Sequence, residues 1–421
     1  MINKSMIKEV QNRLKRWIIP VLLGTLLGAC GQTKSSDFQT KPITYEKNNI
    51  LEVKFAVDNG TFEYMAAVDQ LRDEADSLLN EGPWSVTMKD IFPPGGTKHD
   101  YMSYGPYWWP DPENPGGPYI RRDGKRNEAI LTPDKEYRWM MTNAVERLAL
   151  AYILFDDARY AEHAVELMRT WYIDEETYMA PHLNYGQGIP NRTPGRQYGI
   201  IESRSFIKVL DAVNLLSDSD AYTREIHRGL VDWYDQFLQW LLTSELGKKE
   251  ARSGNNHEVS YALQVTTFAI FVGKDSVALD QLSNHFKGRI IHMIEPDGRQ
   301  PEELQRTKSL FYSVFNLEFM LKLCYLGEQY GLDLFNYTSP DGRSVKKALD
   351  FIAPALSGEK EWPYQEITRG IIGEHHQFYV LRMAHMQYEE PKYEEILKNN
   401  YGDLYPYELG QIKWPLQNEN N

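Results

Sequence analysis

The chain has little cysteine, no excess of positive charge and few long apolar runs. Two cysteines in 421 residues cannot build a disulfide framework, so a buried apolar core must hold the fold. Acids outnumber bases by 59 to 46, giving a formal charge of −13 and a pI near 5.4. That balance argues against a general nucleic-acid binder, which needs a basic surface. No series of β-branched strands alternates with helical segments, which argues against a parallel α/β sheet. No Pro-rich or Gly/Ser linker interrupts the chain, and residues 48–421 are expected to form a single domain. What the chain does have is rings: aromatics make up 13%, with 10 Trp and 27 Tyr. Flat rings stack on sugar faces, although large cores also use them.

The N-terminus reads as an address rather than as fold. Lys4, Lys8, Arg13, Lys15 and Arg16 precede an apolar stretch from Trp17 to Leu27, then Leu27-Gly28-Ala29-Cys30. A basic region, a short apolar region and small residues before a cleavage point describe a secretory signal over residues 1–29. The apolar run is shorter than the roughly 20 residues a membrane span needs. The Leu-Gly-Ala-Cys ending resembles the lipobox of bacterial lipoproteins, which implies a lipidated Cys30 and a place in the bacterial cell envelope, periplasmic or outer-membrane-attached. Cleavage there removes five basic residues and one acid, taking the charge from −13 to −17. Residues 30–47 are polar and unpatterned, as suits a flexible tether. The only membrane contact expected is this anchor, and the protein is expected to be a monomer.

The remainder has helical periodicity. Met140, Met141, Ala144, Val145, Leu148, Tyr152 and Leu154 recur at helical spacing, as do Phe206, Ile207, Val209, Leu210, Val213 and Leu216. Further helices are predicted near 62–79, 158–172, 224–246, 257–272, 276–293, 303–330, 345–355 and 373–386. This is an all-α pattern. Paired helices closing into an (α/α) toroid, an incomplete helical barrel, and an irregular bundle both fit it. One long segment, 92–127, breaks the pattern with Tyr101-Met102-Ser103-Tyr104-Gly105-Pro106-Tyr107-Trp108-Trp109-Pro110 at its centre. Long loops inside compact domains are usually functional. Its rings could stack on pyranose units while Arg121, Arg122, Lys125 and Arg126 meet anionic groups, or Trp108 and Trp109 could plug the helical core.

Two segments carry candidate chemistry. Asn255-Asn256-His257-Glu258 opens an apolar helix, with Asn as a favoured N-cap. A histidine in a first helical turn meets the positive end of the helix dipole, which favours the neutral imidazole a general base needs. Some fifty residues later, Asp297-Gly298-Arg299-Gln300-Pro301-Glu302-Glu303-Leu304-Gln305-Arg306 leads to Thr307-Lys308-Ser309-Leu310-Phe311-Tyr312. The Asp-Gly turn, Pro301 and two acids are helix-start signals, which puts Arg306 and Tyr312 on one helix, six apart.

Taken together, Asn256-His257, the Asp-Gly-Arg-Gln-Pro-Glu-Glu-Leu-x-Arg-Thr run and Tyr312-Ser313-x-Phe315-Asn316-Leu317 resemble the alginate-lyase superfamily of bacterial polysaccharide lyases. The Ser103-Tyr104-x-Pro106-Tyr107-Trp108-Trp109-Pro110 stretch and Pro181-His182-Leu183-Asn184-Tyr185-x-Gln187 are similar to it as well. The likeness spans about residues 90–380 and is nearest the Bacteroides-type group, polysaccharide lyase family thirty-eight. It implies an (α/α) toroid with the aromatic loop over its cleft, and β-elimination on alginate or another polyuronate without metal or other cofactor.

By this resemblance Asn256 and Arg306 neutralise the uronate carboxylate, where charge builds as the C5 proton leaves. Tyr312 protonates the departing glycosidic oxygen. Where C5–H and that oxygen share a face, as in mannuronate, an ionised Tyr312 could also be the base, with Arg306 lowering its pKa. Where they oppose, as in guluronate, His257 is the base. Tyr104, Trp108, Trp109, His182, Asn184, Tyr185, Gln187, Arg196, Asn255, His375 and His376 are the substrate-binding candidates. Arg204 could hold a carboxylate too. Glu374-His375-His376 resembles half a metal site without a partner at ligand spacing, so sugar-contacting or structural histidines are preferred.

An acidic chain acting on a polyanion must concentrate Arg and His in its cleft. Two rivals stay open. One is a toroid glycoside hydrolase working on uronides with two carboxylates drawn from Glu202, Glu302, Glu303 and Glu374. The other is a glycan-binding lipoprotein with no catalysis.

Overall fold

The computed structural model describes residues 41, 43–368 and 375–416. The signal segment, Cys30, most of the tether, Glu374 and the His375 side chain lie outside the described residues. All described residues belong to one compact unit, Ser36–Asn421.

The long helices in chain order are α1 Lys47–Asp58, α2 Met65–Leu78, α3 Pro133–Phe155, α4 Ala158–Tyr172, α5 Phe206–Leu216 and α6 Arg224–Thr243. They continue with α7 Asn256–Phe271, α8 Ser309–Gln329, α9 Val345–Leu356, α10 His375–Tyr388 and α11 Pro391–Tyr401. An inner series, α3, α5, α7, α8 and α10, is arranged so that each helix packs on the next. Around it α4 lies on α3, α6 on α7, α9 on α8 and α11 on α10, while α1 and α2 cover the other side of α3. Composition explains the two layers. α7 buries every residue from Val259 to Ile270, as an inner helix with neighbours on all sides must. α4 instead buries a stripe, Tyr160, Ala161, Ala164, Val165, Leu167, Met168 and Trp171, and leaves its other face to water. Asp157, Thr223 and Ser344 cap α4, α6 and α9 through their side chains.

Several sequence-based boundaries are corrected. The helix expected over 303–330 is two pieces, Pro301–Leu304 and α8, with a turn between. The turn is held from outside. Asp123 accepts hydrogen bonds from the Thr307 amide and hydroxyl, and the Glu366 carboxylate accepts the Leu310 and Phe311 amides, capping α8. Arg306 therefore sits in a turn and not on the helix of Tyr312. The stretch 276–293 is likewise broken, by a π turn at Asp280–His285. At the N-terminus, Ile43 and Tyr45 are buried and the Thr44 hydroxyl donates to Asp211 at 2.6 Å, so the fold begins before residue 48.

The aromatic segment is a clasp of short strands. β1 Met102–Tyr104 runs parallel to β4 Tyr185–Gly188, and β2 Trp108–Trp109 pairs antiparallel with β3 Ile120–Arg121. The first pairing ties the clasp to the segment leading into α5, and the second folds it back on itself.

One ion-pair node joins the start of the helical series to its end. Glu146 on α3, almost fully buried, meets Lys208 of α5 at 2.9 Å and Lys413 near the C-terminus at 2.9 Å. Burial alone would raise its pKa, but the two ammonium groups more than offset that and hold the carboxyl well below the usual range. A depressed folded-state pKa means that the node stabilises fully above the ordinary glutamate value of 4.5 and is lost as pH falls below it. Glu146→Gln is expected to cost about 3 kcal/mol in urea denaturation at pH 7, because two cations lose their counter-charge. The difference from the parent should shrink toward pH 3.

Candidate active site

A cleft of about 1060 Å³ opens between the clasp, the N-terminal ends of α3, α7 and α8, and the segment before α5. It is roomy for a small-molecule site, where ~300–1,000 Å³ is usual. Arg121, Arg126, Lys135, Arg138, Arg196, Arg204 and Arg306 line it against the acids Asp123, Glu136, Glu202 and Glu302. The wall is therefore basic in an acidic protein.

His257 enters from the first turn of α7, where the Asn255 side chain accepts its backbone amide. Its Nδ1 lies 2.6 Å from Glu250, which is completely buried. A carboxylate there can only accept, so Nδ1 carries the hydrogen, and in the neutral imidazole Nε2 is the nitrogen with the lone pair. The ring also meets the edge of Tyr198 at 4.9 Å. Sequence reading had not singled out Glu250. It is seven residues upstream on a separate short helix, Glu245–Glu250, and no local spacing announces the pairing.

Tyr312 sits in the first turn of α8 with its hydroxyl 2.8 Å from that of Tyr107. The Arg306 guanidinium lies over its ring face, 3.7 Å from the centroid. Burial pushes the phenol well above its ordinary value of 10.0, Tyr107 adds to this, and Arg306 only partly opposes it. The lowering expected from Arg306 is present but outweighed: the cation stacks on the ring, and its Nε and Nη2 donate to Asp123 at 3.2 and 2.9 Å. The phenol rests protonated. Asn256 is fully buried, its Nδ2 donating to Glu303 at 2.8 Å.

The chain matches the alginate lyase family model over residues 85–362. It is 37% identical to an alginate lyase from Bacteroides ovatus, covering 90% of this chain and 100% of that one with a TM-score of 0.84. Alginate lyase A1-III from Sphingomonas species A1 superposes with a TM-score of 0.51 at 13% identity, over 82% of this chain and 95% of that one, which speaks to fold alone. No curated protein matches the chain. The chain belongs to the alginate lyase family. It is a polysaccharide lyase, and its inner and outer helices form the helical toroid of that family.

The lyase brings Asn255, Asn256, His257, Arg306, Tyr312, Trp108, Gln187, Arg196 and His376 to one cleft. The guanidiniums of Arg192 and Arg196 lie 5.4 and 5.5 Å from the centre of the Trp108 ring. Other candidates do not line the cleft. Tyr104 pairs with Gly188 inside the clasp, and Trp109 donates its Nε1 to the Lys125 carbonyl under Arg122. His182 is paired with Asp100 at 3.0 Å, Asn184 accepts from Trp240, and Tyr185 belongs to β4. These three are absorbed in tying the clasp to α6. Tyr107 stands in the aromatic motif, and its contact with Tyr312 across 205 positions is visible only in three dimensions. Glu202, a candidate hydrolytic acid, accepts the Tyr101 and Ser103 hydroxyls at one oxygen and has Lys135 3.3 Å from the other.

Subtracting the ultraviolet pH titration of Tyr312→Phe from that of the parent isolates this phenol. The difference should show no phenolate below about pH 10. Ionisation near neutrality would contradict the buried, Tyr107-bonded state.

Proposed function

We propose that the lyase cleaves alginate or a closely related polyuronate by β-elimination, with His257 and Tyr312 on either side of the reacting uronate. The observation that carries the anionic substrate is a pair of unbalanced cations. Arg196 and Arg204 line the cleft, both pushed down to about 10 by burial, and among the described residues neither has a carboxylate within ion-pair distance. Arg196 is held by the Gln187 carbonyl and side chain, and Arg204 by the Ile201 carbonyl. Desolvated guanidiniums without a directly paired carboxylate favour a bound anion, and a uronate supplies one per sugar.

In the proposed reaction His257 Nε2 takes the C5 proton and the electron pair spreads onto the carboxylate, beside Arg196 and Asn256. The pair then forms the C4–C5 double bond as the C4–O bond breaks, and the Tyr312 hydroxyl gives its proton to the departing oxygen. No water is consumed. A protonated Tyr312 opposite a neutral His257 is the arrangement that opposite-face elimination, as in guluronate, requires. Same-face elimination, as in mannuronate, first requires the Tyr312 proton to leave, and the Tyr107 hydroxyl, 2.8 Å away, is the group placed to receive it. Further along the cleft, Trp139 is 61% exposed on α3 one turn from Lys135, an open platform for an adjoining sugar. His376, its Nδ1 bonded to Glu318, stacks edge-on to Phe315 beneath Arg204 and offers a second polar contact there.

The direct test follows absorbance at roughly 235 nm, where an unsaturated uronide absorbs, on guluronate-rich, mannuronate-rich and glucuronan polymers. A rise abolished by Tyr312→Phe is expected. His257→Ala should lose at least about 100-fold in kcat/KM on the guluronate-rich polymer and less on the mannuronate-rich one. Flat traces with new reducing ends would instead indicate hydrolysis, and binding without new ends a glycan-binding protein. We also propose that lipidation at Cys30 holds the lyase in the cell envelope. Metabolic labelling with a fatty acid should be lost in Cys30→Ser.

A further inference from the structure

Behind Asn256 lies a carboxyl group to which the reaction above gives no part. Glu303, 1% exposed, lies on the short helix Pro301–Leu304 and faces the first residue of α7. One of its oxygens accepts the Asn256 backbone amide at 2.7 Å, and the other lies 2.8 Å from the end of the Asn256 side chain. Asn256 Oδ1 is buried and has no hydrogen-bond partner among the described residues. The side-chain amide is thus satisfied at one end only, and that end is set by Glu303.

An amide is nearly symmetric in shape but opposite in function at its two ends. With Glu303 ionised, the NH₂ end must face it, and the orphaned oxygen is the atom left over. An oxygen repels a uronate carboxylate, which is the reverse of what neutralisation requires. With Glu303 protonated, its O–H can donate to Oδ1, and the amide turns so that the NH₂ end takes the place of the orphaned oxygen. Two oxygens 2.8 Å apart without a proton between them would be strongly unfavourable, so the exchange is tied to that proton.

We propose that Glu303 is a positioning residue whose proton sets which end of the Asn256 amide serves the substrate carboxylate. The inference rests on the polyuronate reading for its ligand, but its structural core concerns Glu303 and Asn256 alone. The surroundings are consistent with a proton there. Burial raises the Glu303 pKa to about 6, against the pull of the two Asn256 donors, of Arg306 from the following turn and of His257 from α7. A bound uronate adds negative charge nearby and raises it further.

Three measurements separate this from a merely structural role. Infrared difference spectra of ligand-free parent against Glu303→Gln, followed with pH, should show a protonated carboxyl persisting above the ordinary glutamate range. A group already ionised at pH 5 overturns the proposal, whatever the substrate proves to be. Glu303→Ala should lose at least about 100-fold in kcat/KM, and Glu303→Gln should restore most of it. The glutamine amide donates to Oδ1 and its carbonyl accepts the Asn256 N–H, as protonated glutamate does. Glu303→Gln should also lack whatever alkaline limb of kcat/KM the parent owes to this group. A folded Glu303→Gln as inactive as Glu303→Ala, with unchanged thermal unfolding, overturns the proposal. If the parent makes no unsaturated product from any polyuronate, the functional reading fails, while the infrared result still decides the Glu303 proton.

Discussion

A polar side chain can stand at the wall of a helical cleft only if the part of it that faces the protein is satisfied, because burying an unpaired donor or charge costs more than most contacts return. In this lyase carboxyl groups meet that condition repeatedly. Glu250 stands behind His257, Glu303 behind Asn256, Asp123 behind Arg306 and Glu318 behind His376. Each fixes a rotamer and leaves a chosen atom for the cleft. The acid excess of the chain thus lies partly behind its basic and polar working groups, and a net charge of −13 is compatible with a basic cleft.

The same constraint shapes the fold around the site. Asp123 reaches from the clasp to Arg306 and Thr307, and its carboxyl is held well below the usual range, burial being outweighed by Arg306, Thr307 and Arg121. That grip interrupts the helix expected over 303–330 and swings Arg306 over the face of Tyr312. Glu366 then supplies the cap that lets α8 start three residues before Tyr312, so the phenol emerges from a first helical turn, where rotation is restricted. Clasp, turn and helix start are one device, and its product is a protonated phenol beside Tyr107.

Where two guanidiniums lack a carboxylate, the asymmetry is informative. Lys135 has Glu202, Arg126 has Glu128 and Arg306 has Asp123, but among the described residues Arg196 and Arg204 hydrogen-bond only to carbonyl and amide oxygens. Leaving cations partly desolvated at a cleft wall stores a preference for anions, and it does so at the height of the cleft where His257 and Phe315 lie, through the rings of Tyr198 and Phe315 that Arg196 and Arg204 overlie.

The sequence by itself determined what local periodicity and motif spacing encode. Helical class and the capped start of α7 were legible because hydrophobic spacing and Asn255 are local signals, while the association of Asn256, His257, Arg306 and Tyr312 came only through the resemblance of their motifs to the alginate-lyase superfamily. Tertiary structure decided everything that depends on partners far apart in the chain. It broke the 303–330 helix through Asp123, paired Tyr107 with Tyr312, set Glu250 and Glu303 behind the motif, and drew Tyr104, His182, Asn184 and Tyr185 away from the cleft into the clasp. Helix α1 also escaped notice, since its weak stripe acquires meaning only against α3. Whether a residue acts or merely holds its neighbour is a question of which atom remains unpaired after folding, and long-range contacts alone settle that.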